Sequence, residues 1–527
     1  MENEKLCLLS AVELSGLMSK QEISPVDIVK ALLERIDEKN DDIKAFIHIC
    51  RKEAMAHARK AEAELLNGDA EGPLHGIPVA YKDIYDVKGL PTTGGSKIMK
   101  GYTANRDSAM AANLRKAGTI CMGKLNTWEF ASGGMELVGD ARNPWNTQMI
   151  TGGSSAGSGA AVAASLVPLA TGSDTGGSVR DPSALCGIVG LKPTFKRLSC
   201  EGIIPLSWSL DHPGPMARTV ADAALLFYGM AGEKGSTSVS AFFKGRETPL
   251  KNIRIGVPSH FFFDYADPEV VSAVKAAVSL MEGMGASVEE IELPFVESGP
   301  AASYTIAYTE SFTFHREKFL RQAGDYTLGF ISKISGAAFL SALDHLTAER
   351  IQKLVTASFK AALSRVDIIV TPMTAFPAHP IGSRPPQSHI RSFARPVSLT
   401  GLPALSMPCG FTSSELPIGM QMIARDYDEN LLFRVGHAYE QSTEWHRRRP
   451  PITAGALWSP PDPKEPRAEG IDTQWVLDSA ADQGLAYVDT PMAEAIVPHV
   501  APVKAVLAEA RKQLMGESPE ILWNRYL

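Results

Sequence analysis

The chain has 527 residues, more than one ordinary core fills, and is 44% hydrophobic and 21% charged, a balance that excludes a disordered chain. Its net charge of -7 opposes general affinity for nucleic acid or anionic lipid. Six cysteines, at positions 7, 50, 121, 186, 200 and 409, form no CxxC pair; a reducing compartment is expected and a zinc site of usual spacing is not.

The first residues, MENEKLCLLSAVELSG, begin acidic, and their apolar stretch is too short and broken for a secretory signal. No run approaches the roughly 18 apolar residues of a membrane span, so a cytoplasmic protein is expected. Residues 1–70 read as helices on a larger body or at a homodimer contact. Ser10 and Glu13 make a capping box. Ser24-Pro25 starts a helix with Ile28, Val29, Leu32, Leu33 and Ile36 on one face. A third helix, Lys52 to Leu66, stops at Asn67-Gly68.

Residues 71–450 read as the main body. Leu74 to Tyr81 is a turn into a strand, Ala109 to Ala117 a helix, Thr119 to Met122 a strand. Ser155 to Ser165 is a helix of small residues that can lie close to a sheet, with strand Val167 to Ala170 after it and helix Ala221 to Met230 beyond. After a loop at 232–250, strand Ile253 to Val257, helix Glu269 to Met281 and strand Val288 to Leu293 form a βαβ unit. Residues 296–364 are mainly helical, Val366 to Val370 is a buried strand, and 375–400 is a long connection. Leu405 to Pro408 and Ile418 to Ile423 are adjacent strands before helix Glu429 to Gln441. A proline-rich stretch, 451–470, precedes two outer helices, so 451–527 is an extension of unassigned role. Alternating strands and helices predict a layered α/β core.

Two Gly/Ser loops stand out: TGGSSAGSG at 151–159 and GSDTGGSVR at 172–180. Glycines leave backbone N–H groups open to a ligand. Gly118 to Leu125 has the glycine spacing of a phosphate loop, but Leu125 replaces the hydroxyl that would touch magnesium. Gly153 to Gly157 matches GxSxG, but the residues before it, NPWNTQMI, are no apolar strand, and His437 and His446 sit in a helix and a basic cluster. Lys82 directly follows the strand GIPVAY, near a strand end where open sheets gather their sites. Buried, it would be neutral and able to act as a base; the alternative is a salt bridge to Asp83 or a surface amine.

The runs GGSSAGSG, GSDTGGSVRDPSALCGIVGLKPT and SLDHPGPMARTVADAA, with GPLHGIPVAYKDIYDVKGLPTTGGS upstream and GLPALSMPCGF and LPIGMQMIAR downstream, resemble the amidase signature family over residues 8–450. The resemblance implies a three-layer α/β/α fold around a mixed sheet of about eleven strands. It implies a Ser-cisSer-Lys triad of Lys82, Ser154 and the nucleophile Ser178, with a cis bond between Gly153 and Ser154. The backbone N–H groups of Thr175, Gly176, Gly177 and Ser178 would form the oxyanion hole. Ser155, Asp174 and Arg180 would support the triad, the last two as an ion pair bracing the Ser178 loop, and Asp211 would brace its own loop. Residues 131–135, including Ser132, Gly133, Gly134 and Met135, would line the acyl pocket with exposed amides, Met135 as wall or as packing. Cys186 reads as a packed thiol. Ala156 departs from the usual GGSSGGS.

The activity implied by this resemblance is hydrolysis of a small-molecule amide through an acyl-enzyme. It needs no metal or organic cofactor and no nucleic-acid or membrane partner, and a free-standing amidase is the first reading. The alternative is the glutamine-hydrolysing A subunit of a tRNA-dependent amidotransferase, which would need B and C partners. A non-catalytic binding protein would be marked by loss of Lys82, Ser154 or Ser178, and all three are present.

Overall fold

The computed structural model describes residues 2–233, 250–383, 392–457 and 470–516. Among the described residues, thirteen strands run in chain order: β1 Phe46–Ile49, β2 Pro78–Lys82, β3 Ile120–Leu125, β4 Arg142–Asn143, β5 Asn146–Ile150, β6 Leu169–Asp174, β7 Val189–Lys192, β8 His212–Ala217, β9 Arg254–Pro258, β10 Ser287–Ile291, β11 Ile368–Pro372, β12 Ala404–Phe411 and β13 Pro417–Ile423. β4 and β5 pair with each other; the other eleven form one mixed sheet, ordered β1-β3-β2-β6-β8-β7-β12-β13-β11-β9-β10.

Helices cover both faces, as side-chain alternation along the strands requires. In β11, Ile368 and Val370 enter one buried cluster and Ile369 the other; in β12 and β13, Leu405, Met420 and Met422 join the first, Ala404 and Ile423 the second. This is the three-layer α/β fold expected from the motifs. Among the described residues, no helix is long and apolar enough to cross a membrane.

Local signals set the early elements. Ser10 and Glu13 close a capping box at helix Ala11–Ser19, and Ser24 does the same with Asp27 at helix Pro25–Ile43. Helix Arg51–Asn67 ends on Gly68 at φ 82°. The βαβ unit is present: β9 and β10 are parallel neighbours, joined through helix Pro268–Gly283. β12 and β13 pair antiparallel.

Three readings change, and one strand, β8, is additional to those expected. Phe46–Ile49, within the stretch read as helices, is an edge strand paired antiparallel to β3. Residues 142–150 form the β4–β5 pair. β8, HPGPMA, is a central strand despite Pro213 and Pro215; β7 pairs only with its Met216 and Ala217, so the prolines lie past the end of that ladder. The connection at 375–400 ends in helix Ala394–Thr400, whose Val397 and Leu399 are buried. The loops expected at 232–250 and 451–470 lie mostly outside the described residues. Helices Thr473–Asp482 and Thr490–Gly516 pack on one another, and the second also packs on helices Leu328–Ser335 and Ala342–Arg365.

The sheet's register positions the loops. β2 and β6 are parallel neighbours, so Lys82 and Asp174 end their strands at the same edge. β8 runs antiparallel to β6 with His212 opposite Asp174, which brings Asp211 to that edge too. The all-buried helix Ala156–Ala163 presses against this region. A Cβ on Gly157 would sit 2.4 Å from the carbonyl oxygen of Ala45 and 2.5 Å from the nitrogen of Asn126, so only glycine allows that approach.

Candidate active site

Lys82 is fully buried at the end of β2. Its Nζ lies 2.7 Å from Ser154 Oγ, 3.0 Å from Ser155 Oγ and 2.8 Å from Ser173 Oγ. Asp83 does not take this amine; it pairs with Lys124 at 2.8 Å. Burial pulls the Lys82 amine down to about 7, against the weaker opposing fields of Asp211 and Asp174.

The Ser154 loop is fixed from several sides. The Gly153–Ser154 peptide is cis. The Ser154 carbonyl accepts from Thr127 Oγ1 at 3.1 Å and from the Trp128 N–H at 3.2 Å. Trp128 packs over Gly153, where a Cβ would fall 2.2 Å from its ring. Ser155 ties this loop to the next: its N–H donates to the Ser178 carbonyl at 3.3 Å, and its Oγ accepts from the Ser173 N–H at 3.2 Å. Lys82, Ser154, Ser155 and the Ser178 loop are thus brought together. Ser173 is a third hydroxyl on the amine that sequence reasoning missed; its only signal was its place just before Asp174 in GSDTGGS.

Asp174 and Arg180 form the expected pair, fully buried, with Arg180 Nε 2.9 Å from Asp174 Oδ2 and Nη2 2.9 Å from Oδ1. Burial alone would raise the Asp174 pKa, but the guanidinium outweighs it and holds the carboxyl well below its usual range. Arg180 also donates to Gln421 Oε1, Ser398 Oγ and the Ala394 carbonyl.

The oxyanion-hole reading needs one correction. The Gly177 N–H donates to Asp174 Oδ1 at 2.8 Å, so the carboxylate that braces the loop already occupies that donor. Thr175 Oγ1 donates to Asp211, which also accepts from the N–H groups of Leu206 and Ser207, so Asp211 does brace its loop. Burial raises Asp211 to about 6.

The 131–135 segment needs another. The N–H groups of Ser132 and Gly133 donate to the Glu129 carbonyl, each at 2.9 Å, and that of Gly134 to Thr327 Oγ1 at 3.4 Å. These amides close a tight turn and do not face outward. Gly133 lies against Phe330, and Met135 packs with Ala141, Ala156 and Trp128. Of the segment, Ser132 reaches a polar cluster, its Oγ donating to the hydroxyl of Tyr308 at 3.2 Å. Cys186 is buried and its thiol pushed up by burial. Among the described residues, no three His, Cys, Asp or Glu side chains gather as metal ligands would.

The model of the Amidase family matches residues 27–433. The chain is 38% identical over 479 residues to the A subunit of the Glutamyl-tRNA(Gln) amidotransferase of Dechloromonas aromatica, covering 84% of this chain and 98% of that protein. Among solved structures it resembles a protein from an unexpected vestigial complex that reveals the evolutionary origins of an s-triazine catabolic enzyme (32% identity, 82% of this chain, 98% of that one, TM-score 0.76). It also resembles 6-aminohexanoate cyclic dimer hydrolase (27% identity, 85% and 99%, TM-score 0.75).

Proposed function

From a chain that belongs to the amidase signature family of hydrolases, we propose hydrolysis of a carboxylic amide by Ser178, Ser154 and Lys82. The observation that carries this reading is a sealed lysine amine set among three hydroxyls, with no ion-pair partner among the described residues. An amine with a pKa near 7 is uncharged in part of the population at neutral pH and accepts a proton. Lys82 takes the proton of Ser154 as Ser154 takes that of Ser178, and Ser178 Oγ attacks the amide carbonyl. The oxyanion is received by the N–H groups of Thr175, Gly176 and Ser178, with Gly177 held back by Asp174; such a donor is worth about 3 kcal/mol. Ser154 returns a proton to the departing nitrogen, so ammonia or an amine leaves neutral. Water then repeats the attack on the acyl-enzyme and releases the acid.

The curated relatives support placing this chemistry in an A subunit of a tRNA-dependent amidotransferase ahead of a free-standing amidase, because the chain matches those amidotransferase relatives almost end to end. Resemblance to 6-aminohexanoate cyclic dimer hydrolase supports the free-standing reading. All six cysteines are free thiols, which supports a cytoplasmic location.

Ammonia or amine release from aliphatic, aromatic and amino-acid amides tests the proposal. Turnover by the chain alone, lost in Ser178→Ala, is expected of an amidase. Turnover of glutamine only with B and C subunits and charged tRNA is expected of the A subunit. Silence in both settings overturns amide hydrolysis. Light scattering on the same preparation tests whether the chain forms the homodimer expected as one role of its N-terminal helices.

A further inference from the structure

Two of the six cysteines meet at the edge of the sheet. β1 pairs antiparallel with β3, Ile49 opposite Gly123, and one step on the Cys50 N–H donates to the Met122 carbonyl at 3.0 Å. Cys121 is the neighbour of Met122 on β3. The chain leaves the ladder at this point: Cys50, at φ −89° and ψ 57°, is the N-cap of helix Arg51–Asn67. Its thiol donates to the sulfur of Cys121. The other thiols are placed differently. Cys186 donates to the Thr151 carbonyl at 3.5 Å and Cys200 to the Asp211 carbonyl at 3.6 Å, while Cys7 and Cys409 are pushed up by burial.

The two sulfurs are not equivalent. Cys50 is buried and Cys121 half-buried, so a small oxidant reaches Cys121 first. The hydrogen bond from Cys50 holds the Cys121 thiol down, helped by the Gly123 N–H and the fields of Lys124 and Arg115 against burial. The same hydrogen bond, with burial, pushes Cys50 up. One sulfur gathers thiolate character while the other keeps its proton, which is the division between an attacking and a resolving thiol.

We propose that Cys121 and Cys50 form a reversible disulfide site that responds to hydrogen peroxide and fastens the edge of the sheet. The Cys121 thiolate attacks one peroxide oxygen and the O–O bond breaks, leaving a sulfenic acid on Cys121 and, with one proton, water. The Cys50 sulfur then attacks the Cys121 sulfur: the S–O bond breaks, the S–S bond forms, and a second water leaves. Two thiols have given two electrons to one peroxide, and a dithiol reductant reverses the bond by exchange. In a reducing compartment such a bond is transient. The link closes the chain from residue 50 to residue 121 and ties β1 and helix Arg51–Asn67 to β3, which restricts the unfolded chain. In the β2–β3 ladder Val79 lies beside Cys121 and Lys82 beside Leu125, so the bond forms apart from the catalytic amine and does not rest on the amide-hydrolysis reading.

The test exposes the full-length protein to a small excess of hydrogen peroxide, blocks the remaining thiols with N-ethylmaleimide in denaturant, and reads the peptides by mass spectrometry. The expected result is a linked pair of peptides carrying Cys50 and Cys121, a fall from six blocked thiols to four, and full return with dithiothreitol. Cys50→Ser should leave Cys121 as a sulfenic acid that dimedone captures, and Cys121→Ser should leave Cys50 reduced, with circular dichroism checking both folds. Urea unfolding of the oxidised protein should have a higher midpoint than that of the reduced protein, a difference absent from both variants. Six thiols retained by the wild-type protein after peroxide, or a bond between other cysteines, overturns the site. An unchanged or lowered urea midpoint in the linked protein overturns the fastening.

Discussion

Asp174 and Arg180 grip each other through two bonds of 2.9 Å, and the loop between them carries Ser178. Removing one partner strands the other in a fully buried place. Asp174→Asn is therefore expected to cost about 3–5 kcal/mol of stability, measured by urea unfolding. The pH dependence has a definite sign. Asp174 is held below its ordinary value of 3.8, so its contribution is present above that value and is lost as pH falls toward the depressed folded value. The gap between wild type and variant should be constant at neutral pH and narrow below about 4.

Lys82 works in the proposed relay only when neutral. Its amine is lowered to about 7, so kcat/KM is expected to be low in acid, rise through about 7 and level off above. Lys82→Arg, charged at every accessible pH, should be inactive with its fold retained by circular dichroism. Asp211 is the stronger of the two charges holding the Lys82 pKa up against burial. Asp211→Asn should shift the rising limb to lower pH. A limb that moves upward, or that survives Lys82→Arg, would assign the titration to another group.

Ser173 offers a sharper check on positioning. Its hydroxyl lies 2.8 Å from Lys82 Nζ, and in the proposed relay it orients the amine without passing a proton. Ser173→Ala removes one hydrogen bond worth about 1 kcal/mol, so kcat should fall about fivefold with KM nearly unchanged. A loss as deep as that of Ser154→Ala would place Ser173 in the proton path instead.

Sequence legibility followed the range of the forces. The caps at Ser10 and Ser24 and the stop at Gly68 are set within a few residues, so pattern reading reached them. The Ser154 and Ser178 loops were legible through their glycines. β8 was not, because its prolines argue against a strand until the short reach of β7 is known. Helix Ala394–Thr400 was hidden by Pro396 and its surrounding polar stretch. The amides of 132–134 look open to a substrate in the sequence because their acceptors, Glu129 O and Thr327 Oγ1, emerge only when the turn closes and a distant helix docks.

Gly177 tests how tightly the Ser178 loop is set. Its φ is 123°, in the region that disfavours a side chain, and a Cβ there would fall 2.6 Å from Ala394 Cβ and 2.8 Å from Asp181 Oδ2. The Asp181 carboxylate can turn aside, but the Ala394 Cβ is fixed to helix Ala394–Thr400 and yields only if that helix or the loop moves. Gly177→Ala is expected to cost about 1–3 kcal/mol of stability and about 100-fold or more in kcat, since a shift of roughly 1 Å at a reacting centre has that effect. Gly176→Ala is the comparison. Its φ lies outside the left-handed region, and the nearest atoms to its Cβ would be those of the Arg395 side chain, at 3.2 Å. It is expected to cost less than Gly177→Ala in both stability and kcat, measured by urea unfolding and by amide release. Equal damage from the two substitutions would mean that the loop, and not the clash at Ala394 and Asp181, is what each one disturbs.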